Sequence, residues 1–270
     1  MCSHRNRKGI PTFLMLILVL VCVGGCGAET QTDEAQTAED AAEGIESIED
    51  AARLRHTEKF VGESAEDAQV DFDALKQTNP DIFAWLYIPD TEIDCPVLQS
   101  GQSDSFYENH NAYGEEDDAG AVYIELANLA SMCDFNTVLH GKTGADENGL
   151  FADLHRFADP DFFADHEYAY LYLDGNVLTY EIFAAYEREN TSLIRTYDFT
   201  YLSGCRQFLS DLYGTRKMGM NLREGWNGVN EYNYVVTLTT QEEENTKRQF
   251  VVLAVLIEDA AGTINRVVME

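Results

Sequence analysis

The sequence predicts a mainly β fold with helical insertions, built as a closed or nearly closed barrel of seven to eight strands. Eight stretches between residues 84 and 257 are enriched in β-branched and aromatic residues. Gly, Pro, Asn and Asp separate them, and within that span a helical period returns clearly only near residues 198–216. Strands with a few helices between them, in one unbroken run, favour a single β core over alternating α/β layers.

The elements follow in order. A helix is expected over 71–78, with Phe72 and Leu75 on one face, ending before Pro80 because a residue preceding proline avoids the helical region. Strands are expected at 84–88 and 93–98, divided by Pro89-Asp90, and then at 121–124 and 137–140. The next two, 168–173 and 176–186, are joined by Asp174-Gly175-Asn176, a good hairpin turn. Tyr201, Leu202, Cys205, Phe208, Leu209 and Leu212 recur at helical spacing and predict a late helix over 198–216. Strands at 234–239 and 250–257 complete the barrel.

The chain has 270 residues, a formal charge of −30 and 45% hydrophobic residues, enough apolar material for a globular core. So acidic a chain excludes nucleic acid as the default partner and argues against electrostatic adhesion to anionic lipid. Membrane association requires another device, and the amino terminus supplies one. His4, Arg5, Arg7 and Lys8 precede an apolar run over 10–23. That run is shorter than the roughly 20 residues needed to span a bilayer and fits a signal-peptide core. Val23-Gly24-Gly25-Cys26 follows and resembles the bacterial lipoprotein box, which implies lipidation of Cys26. A plain secretory signal and an uncleaved short membrane helix are the competing readings.

The division expected is a signal peptide at 1–25, an acidic tether at 26–67 with a short helix over 43–56, a folded domain at 68–260 and a tail at 261–270. Cys95, Cys133 and Cys205 remain in the exported part, without zinc-type spacing; they are read as buried thiols, with one disulfide plus a free thiol as the alternative. The acidic runs at 115–118 and 242–244 lack the spacing of a calcium loop and read as solvated. No metal or cofactor is called for.

Within the folded domain, Asn79-Pro80-Asp81-Ile82-Phe83-Ala84-Trp85-Leu86-Tyr87-Ile88-Pro89 and Ile93-Asp94-Cys95-Pro96-Val97-Leu98-Gln99 resemble the opening of class B sortases. Asn136-Thr137-Val138, Leu150-Phe151-Ala152-Asp153-Leu154, Phe162-Phe163 with His166, and Tyr180-Glu181-Ile182-Phe183 continue the resemblance in order. Thr237-Leu238-Thr239-Thr240 and Phe250-Val251-Val252-Leu253-Ala254 complete it. The resemblance implies a sortase-type barrel and a cysteine transpeptidase that cuts a sorting signal and joins it to a cell-wall amine. Such chemistry uses a Cys nucleophile, a His acid–base and an Arg that stabilises the oxyanion or holds the substrate.

The sequence departs from that set at all three positions. Gln241 stands where the strand-end Cys belongs, Lys142 where the His belongs, and Gln249 where the Arg belongs. A carboxamide cannot form a thioester. His140, Cys95 and Arg248 are the nearest displaced candidates for those roles, and Thr239 and Thr240 lack an evident base. The acidic residues after Gln241 would disfavour a thiolate there. The leading reading is therefore a lipid-anchored cell-surface pseudo-sortase on the outer face of a bacterial membrane, binding a peptide, a sorting-signal-like segment, a cell-wall component or a partner surface protein. An active transpeptidase using displaced residues and a pure interaction scaffold are the alternatives.

Overall fold

The computed structural model describes residues 47–48, 70–144, 149–215, 218–225, 228–241 and 247–270, with Gln241 described by its backbone alone. The leader, Cys26 and almost all of the tether with its expected helix lie outside these residues, as does the acidic run at 242–244. Among the described residues no helix is long and apolar enough to cross a membrane.

Helix α1 (Phe72–Thr78) is capped by Asp71, whose carboxylate accepts from the amide of Ala74. The strands are β1 (Ile82–Tyr87), β2 (Asp94–Leu98), β3 (Val122–Ile124), β4 (Asn136–Lys142), β5 (Tyr168–Leu173), β6 (Asn176–Glu189), β7 (Asn221–Leu222), β8 (Val235–Gln241) and β9 (Arg248–Asp259). Helices α2 (Pro160–Asp165), α3 (Leu193–Thr196) and α4 (Leu202–Gly214) lie between them. The sheet runs β5-β1-β2-β3-β4-β8-β9-β6, and a β5–β6 pairing closes it into an eight-stranded mixed barrel. The short β7 pairs with β6 beyond the end of β5. The mainly β, closed-barrel expectation is met, with the N-terminal helix and the late helix where the sequence placed them.

Side chains alternate between two cores, as strand geometry requires. Leu139, Val236, Leu238, Phe250 and Val252 fill the barrel interior with Leu86, Phe151 and Leu171. Val138, Val235, Val251 and Leu253 point outward, where Cys205, Phe208, Leu209 and Leu212 of α4 cover them. The apolar stripe of α4 thus makes a lid over the outer face of β8 and β9.

Several boundaries differ from the pattern-based expectation. The late helix begins at Leu202 because the Asp198 carboxylate accepts from the amide of Thr200, a local turn that competes with helix. Strands β4 and β9 extend into polar residues, Gly141-Lys142 and Arg248-Gln249, whose place in the ladder is fixed by neighbouring strands and not by their own polarity. Helix α2 is an addition to the expected elements; Asp159 caps it and Pro160 opens it, but six residues show no helical period.

Candidate functional site

Strands β4 and β8 are parallel, so their carboxyl ends emerge together. Their register sets His140 opposite Thr239, Gly141 opposite Thr240 and Lys142 opposite Gln241. Strand β9 runs antiparallel to β8 and pairs Phe250 with Thr240, which brings Gln249 to the same end. Topology alone therefore gathers the three positions that the resemblance assigns to catalysis.

A cavity of about 380 Å³ opens there, lined by Tyr107, Glu108, Tyr123, Glu125, Val138, His140, Gly141, Lys142, Thr239, Thr240 and Gln249, with residues 190–193 as one wall. Gln249 is buried and its carboxamide is engaged. Its Oε1 accepts from Thr239 Oγ1 at 2.6 Å, while its Nε2 reaches the carbonyls of Glu189 and Thr191 at 3.4 and 3.3 Å. Lys142 Nζ donates to the Asp118 carbonyl at 2.8 Å and to Asn109 Oδ1 at 3.3 Å, tying its ammonium to the loop before β3. Gly141, between His140 and Lys142, has no room for a side chain: a Cβ there would sit 2.6 Å from Cδ2 of the buried Phe151.

His140 does reach the cavity, stacked on Tyr123 with ring centroids 5.2 Å apart. Its Nε2 stands 3.5 Å from Glu125 Oε1, an ion-pair distance without the alignment of a hydrogen bond. His140 is the main influence holding the Glu125 carboxyl below the usual carboxylate range; burial opposes it, and Arg195 adds a smaller attraction. Burial, reinforced by Glu108, raises the Tyr123 phenol so that it stays a donor, and it hydrogen-bonds Glu108 Oε1 at 3.1 Å.

The other displaced candidates are placed elsewhere. Cys95 is buried in the barrel interior opposite Leu86, because the β2 alternation turns it inward. Arg248 lies one residue before Gln249 and faces a second cavity, of about 270 Å³, where its Nε bonds Glu187 Oε1 at 2.6 Å. Cys205 sits on the buried face of α4 in the outer core, and burial pushes its thiol up. Cys133 and Cys205 carry free thiols. Among the described residues no cysteine lines the cavity.

One connection was missed by sequence reasoning. Thr240 does have an imidazole within reach: its Oγ1 lies 2.8 Å from Thr143 Oγ1, which lies 3.1 Å from His155 Nε2. Thr143 and Thr240 are 3% and 1% exposed, so this relay is sealed from any peptide carbonyl and serves as a clasp between strand ends. Nothing local in the sequence signals it, since His155 lies in the 3₁₀ segment Ala152–Ala158 that follows β4.

As it stands, the cavity offers hydrogen-bond donors and acceptors, two carboxylates and two aromatic walls, but its lysine and its glutamine are already engaged. It can recognise a polar segment. Among the described residues, no thiol stands ready to attack an acyl carbon there.

No family model matches the chain. It is 38% identical over 130 residues to sortase B of Listeria monocytogenes, covering 47% of this chain and 48% of the relative, so that match spans about half the relative's length. Against sortase B of Staphylococcus aureus it is 28% identical over 197 residues, 71% of this chain and 77% of the relative. The X-ray structure of Clostridium perfringens sortase B superposes with a TM-score of 0.61 at 26% identity, covering 70% of this chain and all of that one. The Staphylococcus aureus sortase B–substrate complex gives a TM-score of 0.60 at 25% identity, covering 69% and 84%. By sequence and by barrel topology, the chain is similar to sortase B proteins and shares their mainly β, closed-barrel fold.

Proposed function

We propose that this protein is a catalytically silent sortase B relative that uses the cavity at the ends of β4, β8 and β9 to bind a peptide without cutting it. The observation that carries this reading is the occupied state of the machinery: Gln249 is bonded to Thr239 and Lys142 to the 109–118 loop, at the positions where the family has Arg and His. Gln241 ends the strand where the nucleophile belongs, and a carboxamide forms no thioester. Loss of chemistry leaves the groove intact, because fold and reaction are separable.

The partner is a sorting-signal-like peptide or a cell-wall segment. Solved relatives support this: Staphylococcus aureus sortase B forms a complex with its substrate, and another sortase B structure is complexed with triglycine. Residues 1–25 act as the export signal, Cys26 as the lipid attachment point and 26–67 as the tether, which places the barrel outside the cell membrane. Substituting Cys26→Ser should release the protein from the membrane fraction.

The central test is to incubate the full chain with the peptide of the Staphylococcus complex and follow binding by fluorescence anisotropy and products by mass spectrometry. Saturable binding with neither cleavage nor a covalent acyl adduct is expected. A thioester on Cys95, Cys133 or Cys205 would overturn the proposal.

A further inference from the structure

We infer that Asn79 and Asp81 are positioning residues of the cavity at the ends of β4, β8 and β9. Acting through Tyr107 and Ala112, they hold the segment 106–120 where it forms one wall and ties down the Lys142 ammonium. The inference deepens the peptide-binding reading above and rests on it for the ligand, while the placing of the wall is tested on its own.

Asn79-Pro80-Asp81 opens the run that resembles the class B sortases, yet none of the three lines the cavity. They form the corner between α1 and β1, and that corner is rigid. The Asn79 amide donates to the Leu75 carbonyl at 2.8 Å, its carbonyl accepts from the Ile82 amide at 3.1 Å, and its Oδ1 accepts from the Asp81 amide at 3.0 Å. Its Nδ2 is left to reach outward, with two protons to give. One goes to the Tyr107 phenol oxygen and the other to the Ala112 carbonyl, both at 2.9 Å. The Tyr107 hydroxyl in turn donates to Asp81 Oδ2 at 2.8 Å. Asn79 and Tyr107 are both buried, so each bond lost there leaves a polar group unsatisfied. Burial also keeps the Tyr107 phenol protonated, pushing it up to about 12.

The segment held in this way has little secondary structure to place it. It contains one 3₁₀ turn, Phe106–Glu108, and most of residues 109–118 are exposed. Bonds inside the segment, such as that from the Asn111 amide to the Glu115 carbonyl, fix its shape but not its position on the barrel. Its position decides three features of the cavity. Tyr107 and Glu108 line the wall, with Glu108 Oε1 accepting from Tyr123 at 3.1 Å. Asn109 Oδ1 and the Asp118 carbonyl receive Lys142 Nζ. The Ala121 amide donates to the Tyr107 carbonyl at 2.9 Å, so a shift of Tyr107 carries this further lining residue with it. Gly120 brings the chain back so close that a Cβ would stand 2.6 Å from that carbonyl oxygen. One carboxamide, gripping the segment at two points five residues apart, therefore sets a wall it does not itself touch.

The experiment uses the full chain with two substitutions outside the cavity, Asn79→Ala and Asp81→Ala. Leu209→Ala, in the outer core under α4, serves as a variant that lowers stability without touching the strut. Acylation by an N-hydroxysuccinimide ester, mapped by mass spectrometry, follows Lys142 against the exposed Lys247. Lys142 should label at least about fivefold faster in Asn79→Ala, and faster in Asp81→Ala, because fewer bonds oppose local opening. Leu209→Ala should label as wild type does, and so should Asp81→Asn, which keeps an acceptor oxygen for Tyr107. The peptide of the Staphylococcus complex should bind Asn79→Ala at least about fivefold more weakly than wild type. Labelling in the strut variants no faster than in Leu209→Ala overturns the inference, as does unchanged peptide affinity beside faster labelling. Should Asn79→Ala fail to fold, Asp81→Ala carries both comparisons. Failure of the wild-type chain to bind the peptide overturns the peptide reading alone, and Lys142 labelling still decides the strut.

Discussion

Thr239 and Gln249 face each other across β8 and β9, and the hydroxyl of one donates to the carboxamide of the other at 2.6 Å. The pair closes the cavity floor at the position to which the sequence resemblance assigns an arginine. The carboxamide of Gln249 is satisfied within the protein.

Removing the acceptor alone should therefore destabilise the barrel. Gln249→Leu leaves the buried Thr239 hydroxyl without its partner, at a cost of about 1–3 kcal/mol. The double variant Thr239→Val/Gln249→Leu should recover much of that loss, since both polar partners then disappear together. Urea midpoints at constant slope measure both effects.

Glu125 gives a pH prediction. Its carboxyl is held below the ordinary value of 4.5, first by His140, so the folded state binds the carboxylate form preferentially. Such a group contributes its full stabilisation above its unfolded pKa, and the contribution disappears as the pH falls through the lower folded value. The stability contributed by the Glu125 carboxylate relative to Glu125→Gln should thus shrink as the pH falls below about 4.5. Thermal melts from neutral pH to about pH 3 measure it.

Gly141 should tolerate no side chain. A methyl at that position meets the ring of fully buried Phe151 at 2.6 Å, so the ring would have to shift within the core. Gly141→Ala is expected to cost about 1–3 kcal/mol as overpacking. The double variant Gly141→Ala/Phe151→Leu should be less sensitive to the added methyl, as differential scanning calorimetry would show.

The thiols should separate by access. Cys133 is partly exposed, whereas Cys95 and Cys205 are buried and the Cys205 thiol is pushed up by burial. A maleimide at neutral pH should modify Cys133 in the native protein and reach Cys95 and Cys205 only after denaturation. Peptide mass mapping distinguishes these positions from the cysteines of the leader.

Much of this architecture was legible because most barrel strands carry their own signal in β-branched and aromatic runs. The convergence of Lys142 and Gln249 followed from the ordered resemblance, and the register of β4 against β8 realises it. Arg248 and Gln249 are both polar, and the parity set by the apolar run from Phe250 already placed Gln249 at the cavity. Two things were hidden for physical reasons. The His155–Thr143–Thr240 clasp joins residues from different elements through side chains alone, which no periodicity reveals. A further cavity of about 540 Å³, at the amino end of β4, is assembled by α3, the start of α4 and the last residues of the chain, each too short or too irregular to declare a shared surface.

The parallel pairing of β4 with β8 also bears on how the protein matures. Asn136 meets Val235 roughly a hundred residues further along the chain, so the cavity floor is a product of late, long-range closure. A chain synthesised amino end first carries β4 long before β8 arrives to pair with it. Truncation anywhere before β9 is then expected to leave the cavity unformed and an open sheet edge exposed, since the edge is covered only when the last strand docks.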